Sequence, residues 1–228
     1  MNDRQKVGAV IAAAGSSHRM DGADKVFALL GGEPVLARVA DVFQRCNSIG
    51  QIVVVLSEQN LERGKQLVIE QGWSKIIDVC IGGRRRQDSV AAGLRRLGNC
   101  DWVVVHDGAR PLVTVDLINR GLEAARETGA AVAAVPVTDT IKMVGDDRIA
   151  RQTLPRQNLW AVQMPQIFGI KVITEAYSRA DGDVTDDASL VEQLGCKVKI
   201  YMGSYDNIKV TTPDDLALAE VLWRKYEQ

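Results

Sequence analysis

The sequence predicts an α/β fold in which a mostly parallel sheet is covered by helices on both faces. Two observations predict this class. Short apolar runs typical of strands alternate along the chain with longer stretches of helical periodicity. Several of these runs, including residues 52–56 and 102–106, are apolar throughout, as expected of strands that are buried on both faces. Because the 228 residues contain neither a linker nor a repeat, we predict a single domain over residues 1–228.

The individual elements follow from the same two patterns. Residues 34–46 place Val35, Val39 and Phe43 on one helical face, with Pro34 suited to the first turn. Asp88 and Thr212 are predicted to cap the helices that they begin. The predicted strands span 7–12, 52–56, 76–80, 102–106, 130–135, 197–202 and 208–210, and the predicted helices span 34–46, 58–71, 88–97, 116–128, 170–180, 187–194 and 212–226.

Residues 138–163 break the alternation of strands and helices. Their short alternating pieces and the turn sequence GDD are typical of hairpins. We therefore predict a β-arm, at about 138–163, that projects from the body of the domain.

The composition excludes several classes of partner. With 28 basic and 29 acidic residues, the net charge of -1 gives no electrostatic case for binding nucleic acid or a membrane surface. No apolar run approaches the roughly 20 residues that span a bilayer. The four cysteines form no C-x-x-C pair and are interpreted as buried thiols in a reducing compartment. Since MNDRQK lacks a signal-peptide pattern, we expect a cytoplasmic protein, or a plastid one if a transit peptide has been removed.

Glycines and cations follow the predicted strands at the point where each strand ends. The segments are AAAGSSHRM with Lys25 after the first strand, GGRRRQDS after the third, DGARP after the fourth, and Lys209 in the last short strand. The carboxyl ends of parallel strands meet at one sheet edge, where ligands bind. Backbone N–H groups and cations at that edge predict a polyphosphate site. Neither the Walker A pattern nor G-x-G-x-x-G is present.

Asp107 is the carboxylate of this edge. It follows the apolar strand 102–106, and we expect it to be exposed, because burying a lone carboxylate is costly. One interpretation is a Mg²⁺ ligand, direct or through water, and the other is a turn or cap aspartate. His106 is interpreted as a structural strand-end residue and Arg86 as part of a solvated turn.

The ordered series of motifs is highly specific. AAAGSSHRM, DK, GGxxRxDSV, HDGARP, PVTDTIK, TDDASLVE and DNIKVTTPDDL resemble the 2-C-methyl-D-erythritol 4-phosphate cytidylyltransferase family from about Val7 to Tyr226. The resemblance implies a Rossmann-like fold of the nucleotide-diphospho-sugar transferase type. It also implies CTP and a sugar-alcohol phosphate as substrates, Mg²⁺ as cofactor, and a homodimer in which the arm clasps the partner.

The resemblance also implies roles for individual residues. It makes Arg19 and Lys25 catalytic cations, and Asp107 the acid near Mg²⁺ and the ribose. The residues implied to wrap CTP are Ala13, Ala14, Gly15 and Ser16, those implied to read cytosine are Gly82, Gly83, Asp88 and Ser89, and those implied to hold the sugar phosphate are Arg110, Thr140, Arg156 and Lys209. In the family, Arg110 or Thr140 reaches across from the other subunit.

Two departures from the family pattern leave alternatives open. The family's PKQ[YF] is DKVF here, from Asp24 to Phe27, and its TPQ is MPQ, from Met164 to Gln166. One alternative is a ribitol-5-phosphate cytidylyltransferase, which shares the fold and most motifs. Another is a sugar-1-phosphate nucleotidyltransferase that uses UTP or dTTP. A third is a nucleotide-binding module without catalysis.

Overall fold

A seven-stranded sheet forms the centre of the molecule in a computed structural model that describes residues 5–15 and 24–225. Its strands are β1 Val7–Ala13, β4 Gln51–Leu56, β5 Ile76–Ile81, β6 Trp102–Asp107, β7 Ala130–Pro136, β10 Trp160–Gly169 and β11 Lys199–Met202; β2 Leu29–Leu30 and β3 Glu33–Pro34 form a separate small pair. The strand order in the sheet is β11-β7-β10-β6-β1-β4-β5. Six strands point the same way, and β10 runs antiparallel to both of its neighbours.

Helices cover both faces of the sheet, which confirms the predicted fold class. Along β1, Ala9 and Ile11 face the layer that contains Phe43, whereas Val10 faces the layer that contains Val90. This alternation follows from the two-residue period of a strand. The helices are α1 Val35–Arg45, α2 Leu61–Gln71, α3 Arg86–Leu94, α4 Val115–Thr128, α5 Ile170–Ser178, α6 Asp187–Gln193 and α7 Pro213–Trp223.

Of the two predicted helix caps, Thr212 is confirmed and Asp88 is wrong. Thr212 caps α7 as predicted: its hydroxyl accepts from Asp215 N at 3.2 Å, and Pro213 takes the first helical position. The prediction for Asp88 was wrong, because α3 already begins at Arg86. Asp88 is the third residue of that helix, and its carboxylate accepts from Arg85 N at 3.1 Å.

Strand β10 is absent from the predicted elements. Its pairing with β7 shifts register between Val162 and Gln166, and Gln163 and Gln166 are buried although they are polar. Pro165 has no N–H to give to the ladder. These residues hide the strand in the sequence. Residues 160–163, predicted as the end of the arm, are therefore part of the central sheet.

The predicted strand at 208–210 was also wrong. This segment has no strand pairing and is tied to the β6 edge by one backbone bond, from Val210 N to Ala109 O at 2.8 Å. That bond still brings Lys209 next to the end of β6.

The projecting segment contains a short hairpin. Strands β8 Lys142–Val144 and β9 Ala150–Thr153 pair antiparallel across a turn at residues 145–149, and every residue of both strands is exposed. The hairpin does not pair with the central sheet. Within residues 5–15 and 24–225, no helix combines the length and apolarity needed to cross a membrane.

Candidate active site

A cleft lies at the carboxyl edge of the sheet, between the ends of β1 and β6 and the beginning of α3. It is lined by backbone-rich segments at Ala12–Gly15 and Gly83, by the small side chain of Ser89, and by charged side chains that include Lys25. A methyl group on Gly15 would lie 3.4 Å from Lys25 Nζ, so this ammonium stands directly beside the glycine loop. Of the predicted site residues, Ser16 and Arg19 lie outside the described residues.

The glycine turn before α3 approaches the end of β1 very closely. A methyl group on Gly82 would lie 2.4 Å from Ala14 Cβ and 2.6 Å from Ser89 Oγ. Only a residue without a side chain allows these two walls of the cleft to meet.

Replacing Gly82 with alanine should therefore displace one wall of the cleft. We expect the KM for the nucleotide to rise by about tenfold, because the displaced atoms belong to the short side chains of Ala14 and Ser89, which cannot swing away. Gly50→Ala is the control, because a methyl group on Gly50 would meet no atom nearer than 3.8 Å. Gly72→Ala is unsuitable, because Gly72 has a φ of +64°, which strains any residue with a side chain. Steady-state kinetics give the KM for the nucleotide in Gly82→Ala and in Gly50→Ala. Equal values in the two variants would contradict a close approach of Gly82 to the opposite wall of the cleft.

Asp107 is the last residue of β6 and is buried, in contrast to the predicted exposure. Burial is tolerated because cations surround the carboxylate: Lys209 Nζ lies 2.8 Å from Oδ2, Arg86 Nε lies 3.2 Å from Oδ1, and Arg110 Nε lies 3.9 Å from Oδ2. Burial alone would raise the pKa of Asp107, but Arg86 and Lys209 outweigh it and hold that pKa well below its usual range. The carboxylate is therefore ionised throughout the neutral range.

Arg110 lies beside Asp107 with an unfilled donor. Its Nη1 donates to the carbonyl oxygen of Asn207 at 2.7 Å, whereas its Nε is buried and has no hydrogen-bond partner among the described residues. Burial lowers the pKa of Arg110.

A second cleft adjoins the first and shares three residues with it. Arg86, Asp107 and Lys209 line both clefts. The second cleft also has an apolar wall formed by Val132, Val162, Met164 and Ile200. Its other polar groups are Arg110, Gln163, Gln166, Thr185, Asp186, Ser189 and Glu192, so two further carboxylates stand beside its cations. Two ligands bound side by side would meet at the three shared residues.

Comparison with known proteins decides the family. A family model described as 2-C-methyl-D-erythritol 4-phosphate cytidylyltransferase matches residues 7–225. The chain belongs to this cytidylyltransferase family. A protein of the same description from Dehalococcoides mccartyi (strain 195) is 52% identical over 221 residues, which cover 97% of each chain. One from Halalkalibacterium halodurans is 44% identical over 223 residues, with 96% of this chain and 97% of the relative covered.

Solved structures agree with the family. The crystal structure of 4-diphosphocytidyl-2C-methyl-D-erythritol synthase from Anaerococcus prevotii matches with a TM-score of 0.87 at 30% identity and covers 97% of both chains. The 2-C-methyl-D-erythritol 4-phosphate cytidylyltransferase from Thermus thermophilus matches with a TM-score of 0.77 at 33% identity, covering 96% of this chain and 99% of its own. The activity is therefore that of a CTP-dependent cytidylyltransferase of isoprenoid biosynthesis.

The structure brings most, but not all, of the predicted cytidylyltransferase site residues together. Ala13, Ala14, Gly15, Lys25, Gly83, Ser89, Asp107 and Lys209 line the first cleft, Gly82 contacts its wall, and Arg110 lines the second cleft. Asp88 faces Arg85 instead, with its Oδ1 2.7 Å from Arg85 Nη2. Thr140 and Arg156 are exposed on the projecting segment, where Arg156 Nη1 donates to Thr138 O at 2.6 Å.

Arg86 lines both clefts, and the sequence interpretation missed this position. It was assigned to a solvated turn, yet its guanidinium bridges Asp107 and the buried Asp187, with Nη2 2.8 Å from Asp187 Oδ2. Burial lowers the pKa of Arg86, but both carboxylates outweigh that effect and the pKa is raised. The sequence did contain a signal for Arg86: it is the Arg of the motif GGxxRxDSV and lies one helical turn before Ser89, on the same side of the helix.

His106 takes the structural role that was expected. It is fully buried against Phe43, at 5.2 Å between ring centroids, and its Nε2 lies 3.1 Å from Arg110 O. Burial lowers the pKa of His106 to about 4, so the ring is neutral near pH 7. Its Nε2–H then donates to that carbonyl and closes the turn at residues 107–110.

The residues of the cleft fit a magnesium ion held mainly by phosphates. Among the described residues, no three His, Cys, Asp or Glu side chains cluster as a metal site. Asp107 is a single carboxylate whose two oxygens accept from Lys209 and Arg86, and a carboxylate has about four lone-pair directions in all. Since Mg²⁺ is commonly bound by one or two carboxylates together with substrate phosphates, this donor set fits the ion.

Proposed function

We propose that the chain transfers a cytidylyl group from CTP to 2-C-methyl-D-erythritol 4-phosphate at the place where its two clefts meet. The observation that carries this proposal is the set of three shared residues, Arg86, Asp107 and Lys209. The first cleft offers a glycine-rich backbone and Lys25 to a triphosphate. The second cleft offers cations to a phosphate and an apolar wall to the carbon skeleton of the acceptor.

The reaction needs charge stabilisation and no general base. A 4-phosphate oxygen of the acceptor is ionised near neutral pH, so it attacks the α-phosphorus of CTP in line, and pyrophosphate leaves from the opposite side. The neutral, buried His106 is consistent with this mechanism. Lys25, together with Arg19, stabilises the negative charge that develops on the α-phosphoryl group and on the leaving pyrophosphate.

Magnesium is part of the proposal. Asp107 would hold the ion, directly or through water, together with the phosphates of CTP. When bound, the ion would neutralise charge on the triphosphate. Lys209 and Arg86 keep the Asp107 carboxylate ionised and oriented for that contact.

The acceptor phosphate is assigned to the cations of the second cleft. Arg110 Nε is buried and makes no hydrogen bond to the described residues, with Asp107 Oδ2 3.9 Å away, and a phosphate oxygen would supply a hydrogen-bond acceptor. Lys209 Nζ is the other cation on this side of Asp107.

Replacing Lys209 with alanine should act on acceptor binding. A hydrogen bond between charged groups contributes about 1.5–3 kcal/mol, so we expect the KM for the acceptor to rise roughly tenfold to a hundredfold. The KM for CTP should change much less. Lys199→Ala is the control, because Lys199 pairs with Glu127 on the surface. An unchanged acceptor KM in Lys209→Ala would remove Lys209 from the acceptor site.

The acceptor is tested by pyrophosphate release with CTP, Mg²⁺ and either methylerythritol 4-phosphate or ribitol 5-phosphate. We expect release with the first acceptor alone. Release with ribitol 5-phosphate alone would keep the chemistry and replace the acceptor. Binding of CTP without release with either acceptor would overturn the proposal and leave a nucleotide-binding module, and a preference for UTP or dTTP would indicate a sugar-1-phosphate enzyme.

A homodimer is also proposed, on the basis of the arm. The hairpin of β8 and β9 stands alone, and an isolated two-stranded hairpin is only marginally stable in water. Apolar side chains are exposed along and beside it, with Val144 at 60%, Ile149 at 58% and Val162 at 44% exposure. A second copy would cover these side chains and bring Thr140 and Arg156 towards a neighbouring cleft.

Sedimentation equilibrium tests the dimer. We expect a mass of twice the 24.9 kDa chain, and a shift towards the monomer in Val144→Asp because a carboxylate cannot be buried unpaired in the interface. Ile69→Asp, on the exposed face of α2, is the control and should stay dimeric. A monomeric parent chain would contradict the assembly.

The proposed location is the cytoplasm. Cys46, Cys80 and Cys100 are buried and, like the partly buried Cys196, form no disulfide, which suits a reducing compartment.

A further inference from the structure

The start of α6 and the loop before it are bound to the start of α3 by three consecutive side chains, those of Arg85, Arg86 and Gln87. Arg85 Nη1 lies 2.9 Å from Asp183 Oδ1, and Arg86 Nη2 lies 2.8 Å from Asp187 Oδ2. Gln87 Nε2 donates to Gly182 O at 3.0 Å. The two segments are about a hundred residues apart in the chain. The first turn of α3 follows the glycine turn of the nucleotide cleft, so this attachment reaches the site itself.

One of these three contacts is buried and continues to the reacting centre. The Asp187 side chain is 1% exposed, and Arg86 joins it to Asp107, with Arg86 Nε 3.2 Å from Asp107 Oδ1. By contrast, the Arg85–Asp183 pair is exposed on both sides, at 47% and 79%. Exposed pairs contribute little, whereas a buried carboxylate has to be matched by a cation and by hydrogen bonds.

The other oxygen of Asp187 also has a donor. The Tyr177 hydroxyl of α5 donates to Asp187 Oδ1. Burial and the neighbouring Asp187 raise the pKa of Tyr177, so this hydroxyl keeps its proton across the neutral range. Asp187 is thus fixed from one side by Tyr177 and from the other by Arg86.

We propose that Asp187, oriented by Tyr177, is a positioning residue for cytidylyl transfer: it fixes the Arg86 guanidinium against Asp107 where the two clefts meet. This inference rests on the proposed function. Arg86 has five donors on a flexible side chain, and without a second carboxylate its guanidinium could turn towards either cleft. With Asp187 in place, Arg86 keeps a fixed distance from Asp107, and both are ready before the substrates bind.

The role predicts an effect on turnover rather than on affinity. Arg86 and Asp107 line both clefts, and the substrates would meet beside them. Misplacement at such a point slows the chemical step, by about tenfold to a hundredfold, while most binding contacts remain. A residue that merely packed the core would lower stability without separating kcat from KM.

The experiment compares four variants by pyrophosphate release, with kcat and both KM values measured for each. In Asp187→Asn we expect kcat to fall by about tenfold to a hundredfold, with each KM within about threefold of the parent value. Asp187→Glu keeps the charge but moves the carboxylate by one methylene, so it should recover only part of the lost turnover and still exceed Asp187→Asn. Asp183→Asn, the matched control in the exposed pair, should equal the parent. Tyr177→Phe should lower kcat by about fivefold, the effect of one lost hydrogen bond.

The kcat values of Asp187→Asn and Asp187→Glu, compared with each other, distinguish a role of the Asp187 charge from a role in packing. Asparagine has the volume of aspartate, whereas glutamate adds a methylene to a buried position, so a packing role would make Asp187→Glu the worse variant. That order, or a kcat of Asp187→Asn equal to the parent value, would overturn the proposal. If Asp187→Asn does not fold, Tyr177→Phe decides: a lower kcat with each KM within about threefold of the parent value supports the role, and any other result overturns it. Activity of the parent chain in the same assay tests the proposed function separately.

Discussion

Replacing Lys25 with alanine should lower kcat by about 10²- to 10³-fold. The ammonium of Lys25 stands beside Gly15, in the cleft assigned to the triphosphate. Removing one preorganised donor from developing negative charge typically has an effect of this size. The KM for CTP should rise less, because the backbone of the glycine loop still contacts the phosphates. Single-turnover measurements at saturating CTP isolate the chemical step.

Two further lysine variants make this result interpretable. Lys65→Ala removes a surface lysine that pairs with Glu62 and should leave kcat unchanged. Lys25→Arg keeps the charge in a larger, planar group and should recover only part of the activity. Turnover of Lys25→Ala within a few-fold of the parent would exclude Lys25 from the catalytic residues.

The second large effect is expected for Asp107→Asn, in both stability and activity. Asparagine keeps the shape of aspartate and removes the negative charge that Arg86, Lys209 and Arg110 surround. Breaking a buried ion pair on one side typically destabilises a protein by about 3–5 kcal/mol, since the remaining charges are left unmatched. Cytidylyl transfer should fall at least about a hundredfold at the same time.

Urea unfolding in chelator-treated buffer measures the stability effect without a contribution from metal. Asp116→Asn is the control, because Asp116 pairs with Arg120 on the surface and exposed pairs contribute little. The pKa of Asp107 is lowered in the folded state, so its stabilisation is present above the ordinary aspartate pKa of about 3.9 and is lost as the pH falls below that value. The difference between parent and Asp107→Asn should shrink in acid. An equal free energy of unfolding at pH 7 would contradict the structure of this cluster.

The strands that the sequence reveals are those with uniform burial. β4 and the apolar part of β6 were predicted because both of their faces are covered, so every residue between their ends is apolar. β10 has the same central position, but it passes the second cleft, where Gln163 and Gln166 replace apolar side chains. Gln163 bonds to Ser204, and Gln166 bonds to Asp186 and Ala188, so these buried polar side chains interrupt the apolar pattern by which a strand is recognised.

Candidate site residues could be predicted where they stand at the ends of strands along the chain. Pairs of residues that meet only through tertiary contacts could not be predicted. Gly82 and Asp107 were found because they stand at the ends of strands: Gly82 follows β5 and Asp107 is the last residue of β6. The pairing of Arg86 with Asp187 was not predicted, because Asp187 is 101 residues away in sequence and meets Arg86 only where the first residues of α6 and α3 come together in the fold. The same contacts explain why Asp107 is buried: its predicted exposure assumed a lone carboxylate, and the three cations come from separate segments.

The antiparallel strand β10 also sets the order in which the protein can be completed during synthesis on a ribosome. β1, β4, β5 and β6 can pair as soon as they emerge, but β7 joins the sheet only through β10, and β11 only through β7. Until residue 169 has emerged, the apolar edge of β6 lacks its strand partner and can recruit other nascent chains. Lys209 follows later still, so a truncated chain can bury most of its core and yet lack a cation of the active site.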